Sequence, residues 1–542
     1  MVDSGLLWGA TIVYAAVTVF LGYLGWRKTK SGADFLLAGK NINAWIIGLS
    51  YGSTFISTSA IIGFGGYAAT WGMGIIWLAA LNILIGLLIA FVFFGKRVRR
   101  IGQKLKAQTF PEFLGKSLDS EFIRWFVALV ILIGMPLYAA AVLIGGSVFM
   151  SATIPGLSVD TALLIFTAIT AIYVITGGLR AVMYTDALQA GLMLIGMTVI
   201  LLITINLLGG IDSANQQLTA LSPQIPQTFK NQGMNGWTAF PTFGSENWFS
   251  LVGTIVLPVG IGVLAQPQLT VRFMTAKDAK TLNRAIPVGG VFLVFMTGFA
   301  FTIGAWSNVW FYNNAPFHNI AYTAANGNIN NIIPLFINAS MDQTIVVILM
   351  LTLLAAAMST MSSLFHVMGS AAGYDLWASV KKTRIVPERY RKEETGKGSL
   401  RLNQVATMIM ILVSLALAWS LPKVGGIIAV ATAMFFGICA SAFLPLFVHT
   451  LFAKRPSKFA ARISLVVGSI TWFIWTSFAC TTTSKVVGLC KALTGNDSLL
   501  TKPLSILDPI LIALPLSILA LVLGWYFDKK IRKGLTSENG AA

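Results

Sequence analysis

Charge is scarce in this 542-residue chain: Asp, Glu, Lys and Arg together make up 11% of it, and the acids number only 19. So thin a polar covering excludes an ordinary water-soluble protein, because 56% of the residues are hydrophobic and mean hydropathy is +0.78. Histidine is rarer still, with three residues, and cysteine also has three, scattered as Cys439, Cys480 and Cys490. That scarcity removes the metal clusters and nucleophile–base pairs that an integral-membrane enzyme would need. Cys480 and Cys490 are near enough in sequence to pair in an oxidising compartment, and the sequence leaves that pairing open. Met1 to Leu7 lacks the basic start and cleavage site of a secretory signal, so the first apolar run is expected to remain.

What the chain has instead is a succession of long apolar runs. About 20 apolar residues cross a bilayer as a helix, and these windows are too long and continuous for the alternating strands of a barrel. They predict an all-α polytopic membrane protein of about 13 spans, at roughly 5–26, 42–70, 74–96, 121–150, 159–178, 186–209, 247–272, 284–310, 343–375, 403–421, 425–452, 462–481 and 507–527. The net charge of +19 maps onto alternate loops: about 33 of the 38 Lys and Arg fall on one side, against Lys230, Lys423, Lys485, Lys491 and Lys502 on the other. The positive-inside rule then places the N-terminus outside and the C-terminus in the cytoplasm, in the cytoplasmic membrane. The basic balance is thus a topology signal with an attraction to the anionic lipid bilayer, and no soluble basic domain exists to bind nucleic acid. No obligate protein partner is evident.

Two spans read as interrupted. The run Gly48-Leu49-Ser50-Tyr51-Gly52-Ser53-Thr54-Phe55-Ile56-Ser57-Thr58-Ser59 puts small hydroxyl residues at mid-membrane, followed by Gly63, Gly65 and Gly66. Span 7 carries Leu257-Pro258-Val259-Gly260-Ile261-Gly262 in its middle. Backbone groups released from a helix inside hydrocarbon need partners, so a break there must line a cavity or hold something polar. Glycine and proline are also commoner in membrane helices generally. Taken together, the interruptions open two successive five-helix units, residues 42–210 and 247–452. Their odd span count inverts the second relative to the first, which points to a transporter binding site between them. Residues 1–41 add a first helix and its loop, and 453–542 add two helices and a tail.

The interrupted span suits a monovalent hard cation, which takes oxygen ligands. An unwound Ser53–Ile56 stretch exposes carbonyls, while Ala356, Ser359 and Thr360 share one helical face by i, i+3, i+4 spacing. Small residues in such a stretch also let helices pack closely. Among ionisable groups, Arg180 and Asp186 fall at the cytoplasmic end of the hairpin between spans 5 and 6, as topology or gating residues. His366 and Asp375 lie toward the inner end of span 9, where His366 either lines an exit path or packs.

The stretch Tyr173-Val174-Ile175-Thr176-Gly177-Gly178-Leu179-Arg180-Ala181, with Tyr184-Thr185-Asp186 and Gln189, resembles the signature of the sodium/solute symporter family. So do Gln266-Pro267 with Arg272-Phe273-Met274, Thr109-Phe110-Pro111-Glu112-Phe113-Leu114, and Ala355 to Thr360. The resemblance runs from about residue 5 to about 450. It implies a leucine-transporter-type core of two inverted five-helix repeats with extra helices at both ends, and uptake coupled to Na+. By position it implies Ser53, Ile56, Ala356, Ser359 and Thr360 as sodium ligands, and Tyr138 as a residue that handles substrate.

At the substrate the resemblance weakens. Proline-transporting members carry Asp at the position of Phe55, and Trp and Tyr at those of Val259 and Val263. Sugar-transporting members carry Asn at Phe55, then Glu and Gln at Ser59 and Ala60. The side chains expected around the small-molecule substrate are Phe55, Ser57, Thr58, Ser59, Tyr138 and Gln266, with a helix N-terminus near Gly63–Gly66 to hold a carboxylate. The expected function is a sodium-coupled symporter for a monocarboxylate or pantothenate-like acid. The alternatives are a neutral amino acid such as proline, or proton coupling on the same fold.

Overall fold

The computed structural model describes residues 4–40, 42–381, 397–421 and 426–538. The basic stretch 382–396 and Lys423 lie outside the described residues. Among the described residues the chain is helical throughout, with one isolated backbone bridge between Ile42 and Ala276.

The membrane helices follow one another as α1 (Ser4–Lys28), a short α2 (Gly32–Leu37), α3 (Ala44–Phe55), α4 (Ser59–Trp71) and α5 (Met73–Leu105). Next come a short α6 (Phe110–Ser117), α7 (Glu121–Thr153) and α8 (Val159–Leu207). The second half holds α9 (Glu246–Met274), α10 (Ala279–Asn313), a short α11 (Ile329–Ser340), α12 (Gln343–Lys381), α13 (Lys397–Ser420) and α14 (Ile427–Phe452). The chain closes with α15 (Lys458–Ala479), α16 (Thr481–Val487) and α17 (Pro509–Glu538). Side-chain acceptors start many of them: Asn43, Thr109, Ser120, Ser158, Ser245, Asp278, Asp342 and Ser457 each accept a backbone N–H of the first turn.

Among the described residues, eleven helices are each long and apolar enough to cross a membrane, and α3 with α4 forms a twelfth span bent by 51°. The 49 residues of α8 would reach about 73 Å, more than twice the hydrocarbon thickness. Gly178 breaks that helix at φ 59°, ψ −161°, so α8 is two spans and the total becomes thirteen. The break is dictated by contact, because a Cβ at Gly178 would meet the Phe35 backbone at 2.8 Å.

One of the two interruptions differs from the expectation in position. Helix α3 ends at Ile56 (φ −87°, ψ 105°) as the hydroxyl run predicts. In α9 the chain instead stays helical through Pro258–Gly262, because the π-helical stretch Phe249–Val256 that leads into Pro258 adjusts the backbone around its missing N–H. The interruption falls at Gln266, which Pro267 holds extended at φ −70°, ψ 124°. Gly262 serves close packing against the Phe436 carbonyl.

The core packs α8 against α1 and α12, α3 against α10, and α7 against α12 and α14, while α15 pairs with α17 at one side. Trp237 is buried: its Nε1 donates to the Ala69 carbonyl at 2.8 Å and its own carbonyl accepts Met73 N. It closes the end of α4 farthest from the basic loops. Cys480 and Cys490 are both buried and free, so they form no disulfide here.

Candidate functional site

The break in α3–α4 lies directly against α12. Ser359 Oγ donates to the Ser53 carbonyl at 2.8 Å and to the Ala356 carbonyl at 3.2 Å. Thr360 Oγ1 donates to the Thr54 carbonyl at 3.0 Å. Three of the five expected sodium ligands, Ser53, Ala356 and Ser359, are therefore tied together; Thr360 is bonded to the neighbouring Thr54, and Ile56 is the residue at which the helix stops. All are buried. The hydroxyls here satisfy carbonyls. A set of neutral oxygens fits a monovalent cation better than a divalent one.

One shell further in is a buried ion pair. Arg272 Nη2 lies 2.8 Å from Asp186 Oδ2, and both side chains are essentially inaccessible. Arg272 also donates to Ser50 Oγ (2.8 Å), the Gln268 carbonyl (2.5 Å), Ser363 Oγ (2.6 Å) and Thr54 Oγ1. Asp186 accepts from Ser50 (2.6 Å), Thr54 (3.2 Å) and Ser362 (3.4 Å), and its carbonyl accepts from Ser53 Oγ (3.2 Å). Every charged atom thus has partners, as a desolvated pair requires. Asp186 is not a loop-fixing residue at the hairpin end, as expected; it lies two turns into its span and braces the broken helix. Sequence reasoning quoted Arg272 in a motif without giving it a role. Its position within an apolar span was the signal.

The other face of the break borders a small cavity of ≈ 10 Å³, lined by Phe55, Ile56, Ser57, Ala60, Phe64, Asn82, Tyr138, Val259, Thr297, Phe301, Thr432 and Phe436. It holds about one water, so the aromatic walls are closed on one another. Phe55 meets Phe436 edge-on at 5.9 Å, and Tyr138 stacks on Phe435 at 5.6 Å. The Tyr138 hydroxyl lies near Ser57 and Thr360, which brings the cavity next to the expected cation ligands.

Phe55, Ser57 and Tyr138 stand where sequence placed them, and three other residues do not. Thr58 Oγ1 donates to the Val142 carbonyl at 3.1 Å, tying the break to α7. Ser59 is buried outside the cavity lining, its hydroxyl without a partner among the described residues. Gln266 faces Gln268 (2.7 Å), because the Pro267 turn carries it away from the cavity. The glycines Gly63–Gly66 also offer no room for a carboxylate: they pack against α14, α10 and α11. In their place the fold contributes Asn82, Thr297, Thr432 and Phe436, isolated residues of three further spans that no local spacing marks. Asn82 Oδ1 is buried without a hydrogen-bond partner.

At the basic end three contacts shut the space below the site. Arg180 Nε and Nη2 donate to the Ala38 carbonyl at 3.1 and 2.6 Å. His366 Nε2 meets the Phe35 carbonyl at 2.9 Å, so it holds α2 in place and lines no open path. Asp375 accepts from Arg124 Nε and Thr109 Oγ1, each at 2.9 Å, which anchors the end of α12 to α6 and α7.

The sequence model of the Sodium:solute symporter family matches residues 35–468. The chain belongs to that family. It is 26% identical over 470 residues to the sodium/proline symporter of Escherichia coli, covering 86% of this chain and 87% of the relative. It is 24% identical over 480 residues to the sodium/pantothenate symporter of Haemophilus influenzae, covering 87% and 91%. Its fold is similar to that of a Na+-coupled sialic acid symporter solved in a substrate-bound outward-open state, with a TM-score of 0.70 at 18% identity over 96% of this chain and 97% of that one. The protein is therefore a sodium-coupled symporter of the leucine-transporter fold, and Na+ is its coupling ion.

Proposed function

We propose that this symporter imports a small organic acid, a monocarboxylate or pantothenate-like molecule, across the cytoplasmic membrane. Ser53, Ile56, Ala356, Ser359 and Thr360 hold Na+, and the solute occupies the cavity beside them. The observation that carries the reading is the cavity's lining. It contains no charged side chain, mostly apolar and aromatic walls, and a few neutral polar groups at Ser57, Asn82, Tyr138, Thr297 and Thr432. A carboxylate is served by the hydroxyl and amide donors of the lining, while an apolar tail rests on Phe55, Val259 and Phe436. A zwitterion would leave its ammonium without an anionic partner. Pantothenate transport by a named relative accords with this reading.

Proline is the second reading, favoured by the relatives' names. Coupling follows from shared parts: Na+ at Thr360 orders Tyr138, and Tyr138 orders Ser57 at the substrate. The ion drives transport only by binding one state better than the other. With the basic loops in the cytoplasm and the N-terminus outside, inward charge movement also gains about 2.3 kcal/mol per 100 mV.

The test is uptake into proteoliposomes of labelled pantothenate, pyruvate and proline, each under an inward sodium gradient or a proton gradient alone. Sodium-driven uptake of an acid, with proline not competing, is expected. Uptake of proline alone transfers the assignment to the second reading, and proton-driven uptake without sodium overturns the ion assignment.

A further inference from the structure

A second polar-edged cavity, with lysines in its wall, lies apart from the proposed transport pocket. It measures ≈ 550 Å³ and lies at the outer end of α14, between Gly426, Ile427 and Val430 on one side and Thr481, Thr482, Lys485, Val486, Gly488, Lys491 and Asp497 on the other. Lys485 Nζ lies 3.6 Å from Asp497 Oδ2, and Lys491 Nζ lies 4.0 Å from Oδ1. Two cations share one carboxylate, so the wall keeps an unbalanced positive charge. These are two of the five basic residues that the topology leaves outside, and both stand at this one opening. The opposite wall, Ile427 and Val430, is aliphatic, and Val486 adds an aliphatic side chain beside the lysines.

The same chemistry, a positive head site beside an apolar wall, suits the solute class proposed above. Helix α14 joins the two places: Ile427 and Val430 face the outer cavity, while Thr432 and Phe436, further along, line the transport pocket on its other side. We propose that the outer cavity is an anion-recruiting anteroom that holds a carboxylate with an apolar tail before it passes around α14 into the transport pocket. Lys485 and Lys491 bind the carboxylate, and the aliphatic wall takes the tail. Asp497 competes for both lysines and so sets the affinity. A positive opening of this kind raises the local concentration of anions and falls in effect as salt rises. The solute identity rests on the reading in the previous section; the anion site itself does not require transport.

The experiment uses the full-length protein in proteoliposomes with octanoate as probe. Lys485, Lys491 and, as control, Lys502 are acetylated by a membrane-impermeant reagent and quantified by peptide mass spectrometry. Octanoate is expected to slow labelling of Lys485 and Lys491 by about threefold or more while leaving Lys502 unchanged. Asp497→Asn is expected to lower the octanoate concentration needed, and acetate to protect only at far higher concentration. Equal labelling of all three lysines with octanoate overturns the site; equal protection by acetate overturns the tail-binding wall. In uptake, Lys485→Gln with Lys491→Gln should raise KM for the transported acid about three- to tenfold at low salt with kcat unchanged. An unchanged KM overturns the anteroom role. If no acid is taken up by the wild type, the function proposed above fails, and the labelling result still decides the anion site.

Discussion

At the scale of single residues, Thr360 has the most exposed role. Its hydroxyl donates to the Thr54 carbonyl at 3.0 Å and lies near Tyr138, so it stands between the proposed cation ligands and the wall of the cavity. Losing it would remove one of the proposed cation oxygens. Thr360→Ala should therefore raise the sodium concentration for half-maximal uptake at least about tenfold, and Thr360→Ser should restore most of it. Uptake against sodium concentration is the measurement; an unchanged sodium dependence in the Ala variant would remove Thr360 from the ligand set. Ser359 supports the same reading from the preceding position, since its hydroxyl already bridges the Ser53 and Ala356 carbonyls.

At the scale of elements, a glycine decides whether α8 is one helix or two. Gly178 sits at φ 59°, ψ −161°, a region that L side chains rarely enter, and an added Cβ would press on the Phe35 backbone. Gly178→Ala should lower the thermal midpoint in detergent by several degrees, equivalent to about 1–3 kcal/mol, and should loosen α2, whose Phe35 and Ala38 lie against this turn. Differential scanning fluorimetry checks the first, and faster hydrogen exchange at Asp34–Ala38 the second. A variant as stable as the parent would mean that the break tolerates a side chain. This element also shows what the sequence makes legible. Hydropathy gives two spans here, 159–178 and 186–209, although the chain stays helical on both sides of Gly178. Ala356, Ser359 and Thr360 are readable because one unbroken helix fixes their common face. The α9 interruption falls several residues beyond the expected one because the π-helical stretch before Pro258 accommodates it, whereas Pro267 acts on the residue before it. Asn82, Thr297 and Thr432 carried no local signal, since only the packing of three spans makes them neighbours.

At the scale of the whole molecule, the contacts at the two ends of the site define one closed state. Away from the basic loops, Trp237 caps α4 and the ring of Phe55, Tyr138, Phe435 and Phe436 closes the cavity. At the basic end, α2 is pinned by Arg180 and His366, and the end of α12 is pinned by Arg124 through Asp375. These pins are hydrogen bonds to single carbonyls and one ion pair, small enough to break as the core helices move, and they act on the helix that carries Ser359 and Thr360. Sodium bound there would favour the pinned arrangement, because α12 is held between the ion and the latch. Leu37→Cys in a background lacking the three native cysteines, which are all buried, offers a reporter, since Leu37 is itself a buried residue of α2. A maleimide applied from the side of the basic loops should label it slowly in sodium and faster in potassium, and adding Arg180→Ala should raise the sodium rate toward the potassium one. Labelling indifferent to the cation and to Arg180 would mean that α2 is fixed scaffold and that the inward path opens elsewhere.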